Sequence, residues 1–82
     1  MEMPLTDRQE KVIQYIAEYI YENNYPPTIE EIQEGVGVGN PGSIYGTLSE
    51  LENKEYIERK KKHKARNIRL TKNGKKFFPV EE

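Results

Sequence analysis

The chain has 82 residues, 34% of them hydrophobic, so it can form one domain with one small core but cannot enclose a deep ligand cavity. It has no cysteine, which excludes disulfides and thiolate metal sites. It also has no signal peptide and no run of about 20 apolar residues, so we expect a single cytoplasmic domain over residues 1–82 without membrane contact. The net charge of −1 conceals two segments of opposite charge. Residues 1–55 are acidic, with eleven Asp or Glu and three Lys or Arg. Residues 56–82 are basic, with three Asp or Glu and ten Lys or Arg.

The first predicted element is a helix over about residues 7–23. Thr6 is a good N-cap residue, and Gln9 three positions later completes a capping box. Apolar residues then recur at helical spacing, and a segment with two Asn and two Pro residues ends the helix. The apolar stripe is expected to face the core and comprises Val12, Ile13, Ile16, Ala17 and Ile20.

Two further helices are predicted, joined by a short turn that contains glycine, which is the pattern of a helix-turn-helix. Thr28 caps the second helix, with Glu31 as its capping-box partner. The short apolar face of this helix comprises Ile29, Ile32 and Val36. Asn40 caps the third helix, which runs to about Lys54, and Pro41 occupies its first position, where the missing N–H group costs nothing.

The third helix has two unlike faces. Its core face is apolar and carries Ile44, Leu48 and Leu51. Its opposite face carries small and polar residues, namely Gly42, Gly46, Ser49 and Asn53, flanked by Ser43 and Tyr45. Each glycine within a helix costs about 1 kcal/mol relative to alanine. Because these glycines lie away from the core, we interpret them as room for an external surface such as the major groove of DNA. The alternative is a weak helix that faces only solvent.

A β-hairpin is predicted next, with strands over residues 56–59 and 67–70. Residues 59–66 hold much of the positive charge and the only histidine, His63, which we interpret as a polar hairpin residue. A basic hairpin beside helices indicates a polyanionic partner, and nucleic acid is the first candidate. The alternative is a solvated loop that prevents aggregation.

The tail is predicted to form a short helical segment over residues 72–78, capped by Thr71. Phe77 and Phe78 are adjacent, so a helix cannot bury both equally well. Either one packs on the core and the other is available to a partner chain, or both cover the core and the isolated chain is monomeric.

Several short motifs occur in order along the chain: Leu5-Thr6-x-Arg8-Gln9, Pro26-Pro27-Thr28-x-x-Glu31-Ile32, Val36-Gly37 followed by Pro41, Leu48-x-x-Leu51, Lys54-x-x-Ile57-Glu58 and Arg66-x-Ile68-Arg69-Leu70. Over about residues 4–70 they resemble the winged-helix DNA-binding domain of the LexA repressor family. The Pro-Pro-Thr helix start combined with the closing Arg-x-Ile-Arg-Leu strand is the most specific part. The fold implied is α+β, mainly α: a winged helix-turn-helix with three helices, a β-hairpin wing and a short C-terminal helix.

The resemblance implies that the third helix, residues 40–54, enters the major groove of double-stranded DNA and that the wing, residues 59–67, lies on phosphates. The predicted base contacts are Asn40, Gly42, Ser43, Tyr45, Gly46 and, as a further polar residue of this face, Ser49. The predicted phosphate contacts are Thr28, Lys60, Lys61, Lys62, Lys64 and Arg66. Thr28 could equally serve as a helix cap alone.

The chain departs from the family pattern in several places. Tyr45 and Gly46 stand where the family has acidic residues, so the family's operator sequence is not expected here. Asn67 replaces a wing glycine, and the wing is one residue longer and richer in lysine. The family's self-cleaving peptidase domain has no counterpart in these residues, so we expect no autoproteolysis. The tail resembles the last element of small winged-helix regulators of the MarR or PadR type.

We therefore expect a nucleoid-associated transcriptional regulator or repressor that binds specific double-stranded DNA. It is either free-standing or the N-terminal part of a longer repressor, and a homodimer on a palindromic site is one arrangement to test. The alternative is a winged helix used for protein–protein contact or for non-specific nucleic-acid binding. An enzyme would need clustered catalytic groups, so we expect no enzymatic activity, cofactor, metal ion or small-molecule substrate.

Overall fold

The computed structural model describes residues 4–60 and 66–79. The elements in chain order are α1 (Asp7–Asn23), α2 (Ile29–Val36), α3 (Pro41–Asn53), β1 (Ile57–Arg59), β2 (Ile68–Leu70) and a 3-10 helix (Gly74–Phe77). The two strands form one antiparallel hairpin beside the helices. The predicted fold, a mainly helical winged helix-turn-helix, is confirmed.

Both of the first two helices begin at the predicted capping boxes. The Thr6 hydroxyl accepts the Gln9 N–H at 3.2 Å, and the Gln9 side chain accepts the Thr6 N–H at 3.1 Å. Thr28 and Glu31 repeat the arrangement at 3.1 and 2.8 Å. Each box satisfies two N–H groups that a helix start would otherwise leave unpaired, so the local sequence fixes where α1 and α2 begin.

The turn between α2 and α3 relies on a glycine and an asparagine. Gly37 has φ of 80°, a left-handed conformation that glycine adopts without strain, and its N–H closes α2 on the Gln33 carbonyl at 3.0 Å. The Asn40 side chain then accepts the Gly42 N–H at 2.8 Å, with Pro41 in the first helical position. These contacts set the direction in which α3 leaves the turn.

The core lies between the three helices and one face of the hairpin. Its fully or almost fully buried hydrophobic residues are Val12, Ile13, Ile16, Ala17, Ile32, Ile44, Leu48, Leu51, Tyr56, Ile57 and Ile68. The predicted apolar faces of all three helices are thereby confirmed, with Ile20, Ile29 and Val36 packed at the edge. Thr47 is also buried, which the pattern did not predict; its hydroxyl donates to the Ser43 carbonyl at 2.9 Å, so burial leaves no unpaired group.

Gln9 connects α1 to α3 as well as capping its own helix. Its side-chain nitrogen donates to Glu50 at 3.0 Å. The Lys54 ammonium donates to the Gln9 side-chain oxygen at 2.7 Å and to the Pro4 carbonyl at 2.8 Å. The start of α1 and the end of α3 are therefore held together by polar contacts beside the core.

The hairpin begins one residue later on each strand than predicted. Ile57 is opposite Leu70 and Arg59 is opposite Ile68. Tyr56 is excluded from the strand because its N–H still donates to the Leu51 carbonyl at the end of α3, at 2.9 Å. Within the basic run 59–66, which was predicted to form the hairpin tip, residues 61–65 with His63 lie outside the described residues.

The short helical segment predicted over residues 72–78 is shorter in the structure, where only Gly74–Phe77 is helical, as a 3-10 helix. The Thr71 hydroxyl accepts the Gly74 N–H at 3.2 Å, as a cap would, but it also donates to the Glu55 carbonyl at 2.6 Å. That second bond holds Thr71 to the turn before β1. Phe77 then packs against the core residue Tyr56.

Candidate nucleic-acid interface

The predicted base-contacting residues lie together on the side of α3 that faces away from the core. Those that are exposed are Asn40, Gly42, Tyr45, Gly46 and Ser49, while Ser43 is half-buried. Tyr45 has the most exposed aromatic side chain among the described residues, at 54%. The helix therefore presents a polar face interrupted by two glycines and one aromatic ring.

The two glycines of this face have different surroundings. A Cβ atom added at Gly42 would lie 3.1 Å from the Asn40 side-chain oxygen, so Gly42 has an internal role at the helix cap. A Cβ atom added at Gly46 would have nothing within 4 Å. Packing among the described residues thus gives no reason for Gly46, although a glycine in a helix costs about 1 kcal/mol relative to alanine.

Ser49 is linked to the hairpin through Arg59, a contact that the sequence did not predict. The Arg59 guanidinium donates to the Ser49 hydroxyl at 3.1 Å and to the Glu52 carboxylate at 3.1 Å. The Arg59 side chain is only 11% exposed. Arg59 thus belongs to the contact between β1 and α3, although in the sequence it is indistinguishable from the rest of the basic run.

Two residues of this face keep mainly hydrogen-bond donors for a ligand. The oxygen of the Asn40 side chain is engaged in the cap of α3, which leaves the N–H₂ group to offer. The Ser49 oxygen accepts from Arg59, so its hydroxyl hydrogen remains to be donated. The face is therefore suited to partners that present acceptors.

The predicted phosphate contacts are spread over several elements. Lys60 is exposed at the end of β1, and Lys61, Lys62 and Lys64 lie outside the described residues. Thr28 is half-buried and its hydroxyl accepts the Glu31 N–H in the capping box.

Arg66 has several partners within the protein. Its Nη1 group donates to the Pro26 carbonyl at 2.7 Å and to Glu31 at 2.9 Å, and its Nη2 group donates to the other Glu31 oxygen at 3.1 Å. The guanidinium also lies 4.8 Å from the centre of the Tyr25 ring. The predicted phosphate contact of Arg66 stays a prediction, but its Nη1 and Nη2 groups already donate to partners within the protein.

The ion pair shifts the titration of both partners. The Arg66 hydrogen bond, followed by the Thr28 N–H, lowers the pKa of Glu31 to about 2. The same carboxylate raises the pKa of Arg66. Since the folded pKa of Glu31 is depressed, its stabilising contribution is present above the ordinary glutamate pKa and is lost as pH falls from there towards 2.

The described residues contain no group of three or more His, Cys, Asp or Glu side chains that could hold a metal ion. None of the helices in the described part is long and apolar enough to cross a membrane.

Comparisons with known proteins agree on one family. The family model for the LexA DNA-binding domain matches residues 2–67. The LexA repressor of Carboxydothermus hydrogenoformans is 44% identical over 55 residues, which are 67% of this chain and 27% of that protein. The LexA repressors of Staphylococcus carnosus and Halalkalibacterium halodurans are each 42% identical over 55 residues, with the same shares. The matched region is thus about a quarter of the length of these relatives.

Proposed function

The chain belongs to the LexA DNA-binding domain family, and from this premise we propose that it is the DNA-binding part of a transcriptional repressor, with residues 1–82 as one winged-helix domain. In this proposal α3 enters the major groove and the hairpin lies on the flanking phosphates. The observation that carries it is the exposed face of α3, where no neighbour in the described part of the chain requires a glycine at Gly46. A bare backbone at that point allows close approach to base edges.

The proposed base contacts are Asn40, Gly42, Ser43, Tyr45, Gly46 and Ser49. The proposed phosphate contacts are Lys60, Lys61, Lys62, Lys64 and, through its hydroxyl hydrogen, Thr28. Because Asn40 and Ser49 offer donors, the bases opposite them should present acceptors in the major groove. These are N7 and O6 of guanine, N7 of adenine and O4 of thymine.

Selection of bound duplexes from a random pool tests this function. The wild-type chain is expected to enrich one sequence in which acceptor edges face Asn40 and Ser49. Ser49→Ala should lose preference at one base pair by about 2- to 10-fold, the range of a single neutral hydrogen bond. Asn53→Ala, which changes an exposed residue near the end of the same helix, should enrich the wild-type sequence.

Equal, salt-dependent binding of all duplexes by the wild type would instead identify a non-specific nucleic-acid-binding module. Absence of duplex binding would favour the protein–protein alternative. If Ser49→Ala enriched the same sequence as the wild type, the assignment of Ser49 would be wrong while the function stood.

We further propose that two copies bind a two-fold DNA site, with half-sites about one helical turn apart. A single winged helix of this size buries little surface on DNA, so one half-site should be bound weakly. Phe78 lies beside Tyr21, with ring centres 6.0 Å apart, and Tyr21 is 39% exposed, so this edge offers aromatic surface to a second copy.

Analytical ultracentrifugation with a palindromic duplex and with a single half-site tests this arrangement. We expect two chains on the palindrome and markedly weaker binding to the half-site. A monomer that binds the half-site as tightly as the palindrome would exclude the dimer.

A further inference from the structure

The two strands of the hairpin are attached to two different helices by arginine–carboxylate pairs, both near the hairpin tip. At the end of β1, Arg59 pairs with Glu52 on α3 at 3.1 Å. Just before β2, Arg66 pairs with Glu31 on α2 at 2.9 Å. The hairpin is therefore held on one side by the helix proposed to read bases and on the other by the helix that precedes it.

The second attachment is the more extensive. Arg66 and Glu31 meet through two parallel hydrogen bonds, a geometry that fixes direction as well as distance. The Tyr19 hydroxyl donates to Glu31 at 3.1 Å, and the Tyr25 ring lies under the guanidinium. Arg66 also reaches the Pro26 carbonyl, in the connection between α1 and α2.

Glu31 is itself immobilised at the start of α2. Its side chain accepts the Thr28 N–H at 2.8 Å while its own N–H donates to the Thr28 hydroxyl. A continuous series of hydrogen bonds thus connects the first turn of α2 to Arg66, two residues before β2 begins. These hydrogen bonds hold the hairpin in one orientation relative to the helix-turn-helix.

These contacts are poorly suited to a phosphate ligand. Binding a phosphate would require Arg66 to exchange a paired carboxylate, a carbonyl and an aromatic face for one anion, and the nearby Glu31 would then repel that anion. We propose instead that Arg66 is a positioning residue, which acts through Glu31 to hold the hairpin at the angle where its lysines meet DNA. This inference rests on the DNA-binding function proposed above.

Glu31→Gln distinguishes a phosphate-contacting Arg66 from a positioning Arg66 by the sign of its effect on DNA affinity. The glutamine can still accept the Thr28 N–H, so α2 keeps its cap. Removing a negative charge should strengthen DNA binding or leave it unchanged if only electrostatics matter. If Arg66 positions the hairpin, binding should weaken by about two- to fivefold, which is what an exposed ion pair can supply. The slope of log affinity against log salt should also become smaller.

Two further variants complete the test. Arg66→Gln should weaken binding as well, and Glu31→Gln combined with Arg66→Gln should be no worse than Arg66→Gln alone. Glu30→Gln is the matched control, since it removes the same charge from the neighbouring exposed position and should not weaken binding. Thermal unfolding of each variant identifies the temperature range in which all are folded, and affinities are compared within it.

The outcomes separate this inference from the function itself. Failure of the wild type to bind duplex DNA would overturn the function and the inference with it. If the wild type bound duplex DNA and Glu31→Gln had the same affinity and salt slope as Glu30→Gln, only the inference would be overturned. The phosphate role would be established if Arg66→Gln lowered the salt slope by about 0.9 while Glu31→Gln lost no affinity.

Discussion

Replacing Lys61, Lys62 and Lys64 together with alanine is expected to weaken binding to every duplex by about a hundredfold at 0.15 M salt. Each phosphate contact releases counterions and contributes about 0.9 to the slope of log affinity against log salt, so the slope should fall by about 2.7. The loss should be the same for the selected sequence and for unrelated duplexes, because phosphates carry no sequence information. Titrations at several salt concentrations measure both quantities.

A matched control exists near the end of the chain. Lys72, Lys75 and Lys76 are exposed around the 3-10 helix, and their joint replacement by alanine removes the same total charge. We expect this control to change affinity and slope much less, because that segment packs against α1 and Tyr56 rather than beside α3. An unchanged slope in the hairpin variant would place these lysines outside the interface.

Gly74→Ala is expected to lower the free energy of unfolding by about 2 kcal/mol or more, in the upper part of the range for overpacking. An added Cβ would collide with the Tyr56 carbonyl oxygen, which is backbone and cannot rotate away, and would crowd the Leu70 side chain. The 3-10 helix would have to move, together with the contact between Phe77 and Tyr56.

Gly46→Ala is the natural comparison, because the same substitution should have the opposite sign. With open space around the new methyl group, the higher helix propensity of alanine should stabilise the fold by up to about 1 kcal/mol. The stabilised variant should nevertheless bind DNA more weakly or select another sequence. Urea unfolding and duplex titration of both variants test this. A more stable Gly46→Ala with unchanged affinity and specificity would remove the groove role of Gly46, and an unchanged Gly74→Ala would contradict the close contact at Tyr56.

The parts of the fold that depend on neighbours in sequence could be predicted from the sequence. Thr6 and Thr28 each lie three residues before their capping partner, so both helix starts were predicted correctly. The extent of the tail helix was not predicted correctly, and the tail is held by a contact that no local pattern indicates, in which the Thr71 hydroxyl donates to the Glu55 carbonyl 16 positions earlier in the chain.

The same distinction applies to the candidate site. Helical periodicity grouped Gly42, Gly46 and Ser49 on the exposed face of α3, as the structure has them. The pairing of Arg66 with Glu31 joins residues 35 positions apart, and no periodic pattern indicates it. The only indication was that both residues belong to the motifs carrying the family resemblance.

The ring packing around Arg66 has a spectroscopic consequence. The chain contains six tyrosines and no tryptophan, so its intrinsic near-ultraviolet signal comes mainly from tyrosine. Tyr19 and Tyr25 meet edge to face, with centres 5.8 Å apart, next to the guanidinium, whereas Tyr45 lies on the exposed face of α3. Tyr15, Tyr21 and Tyr56 also contact aromatic rings, so the difference in aromatic circular dichroism between the wild type and Arg66→Gln, rather than the whole signal, would follow the attachment of the hairpin without any added label.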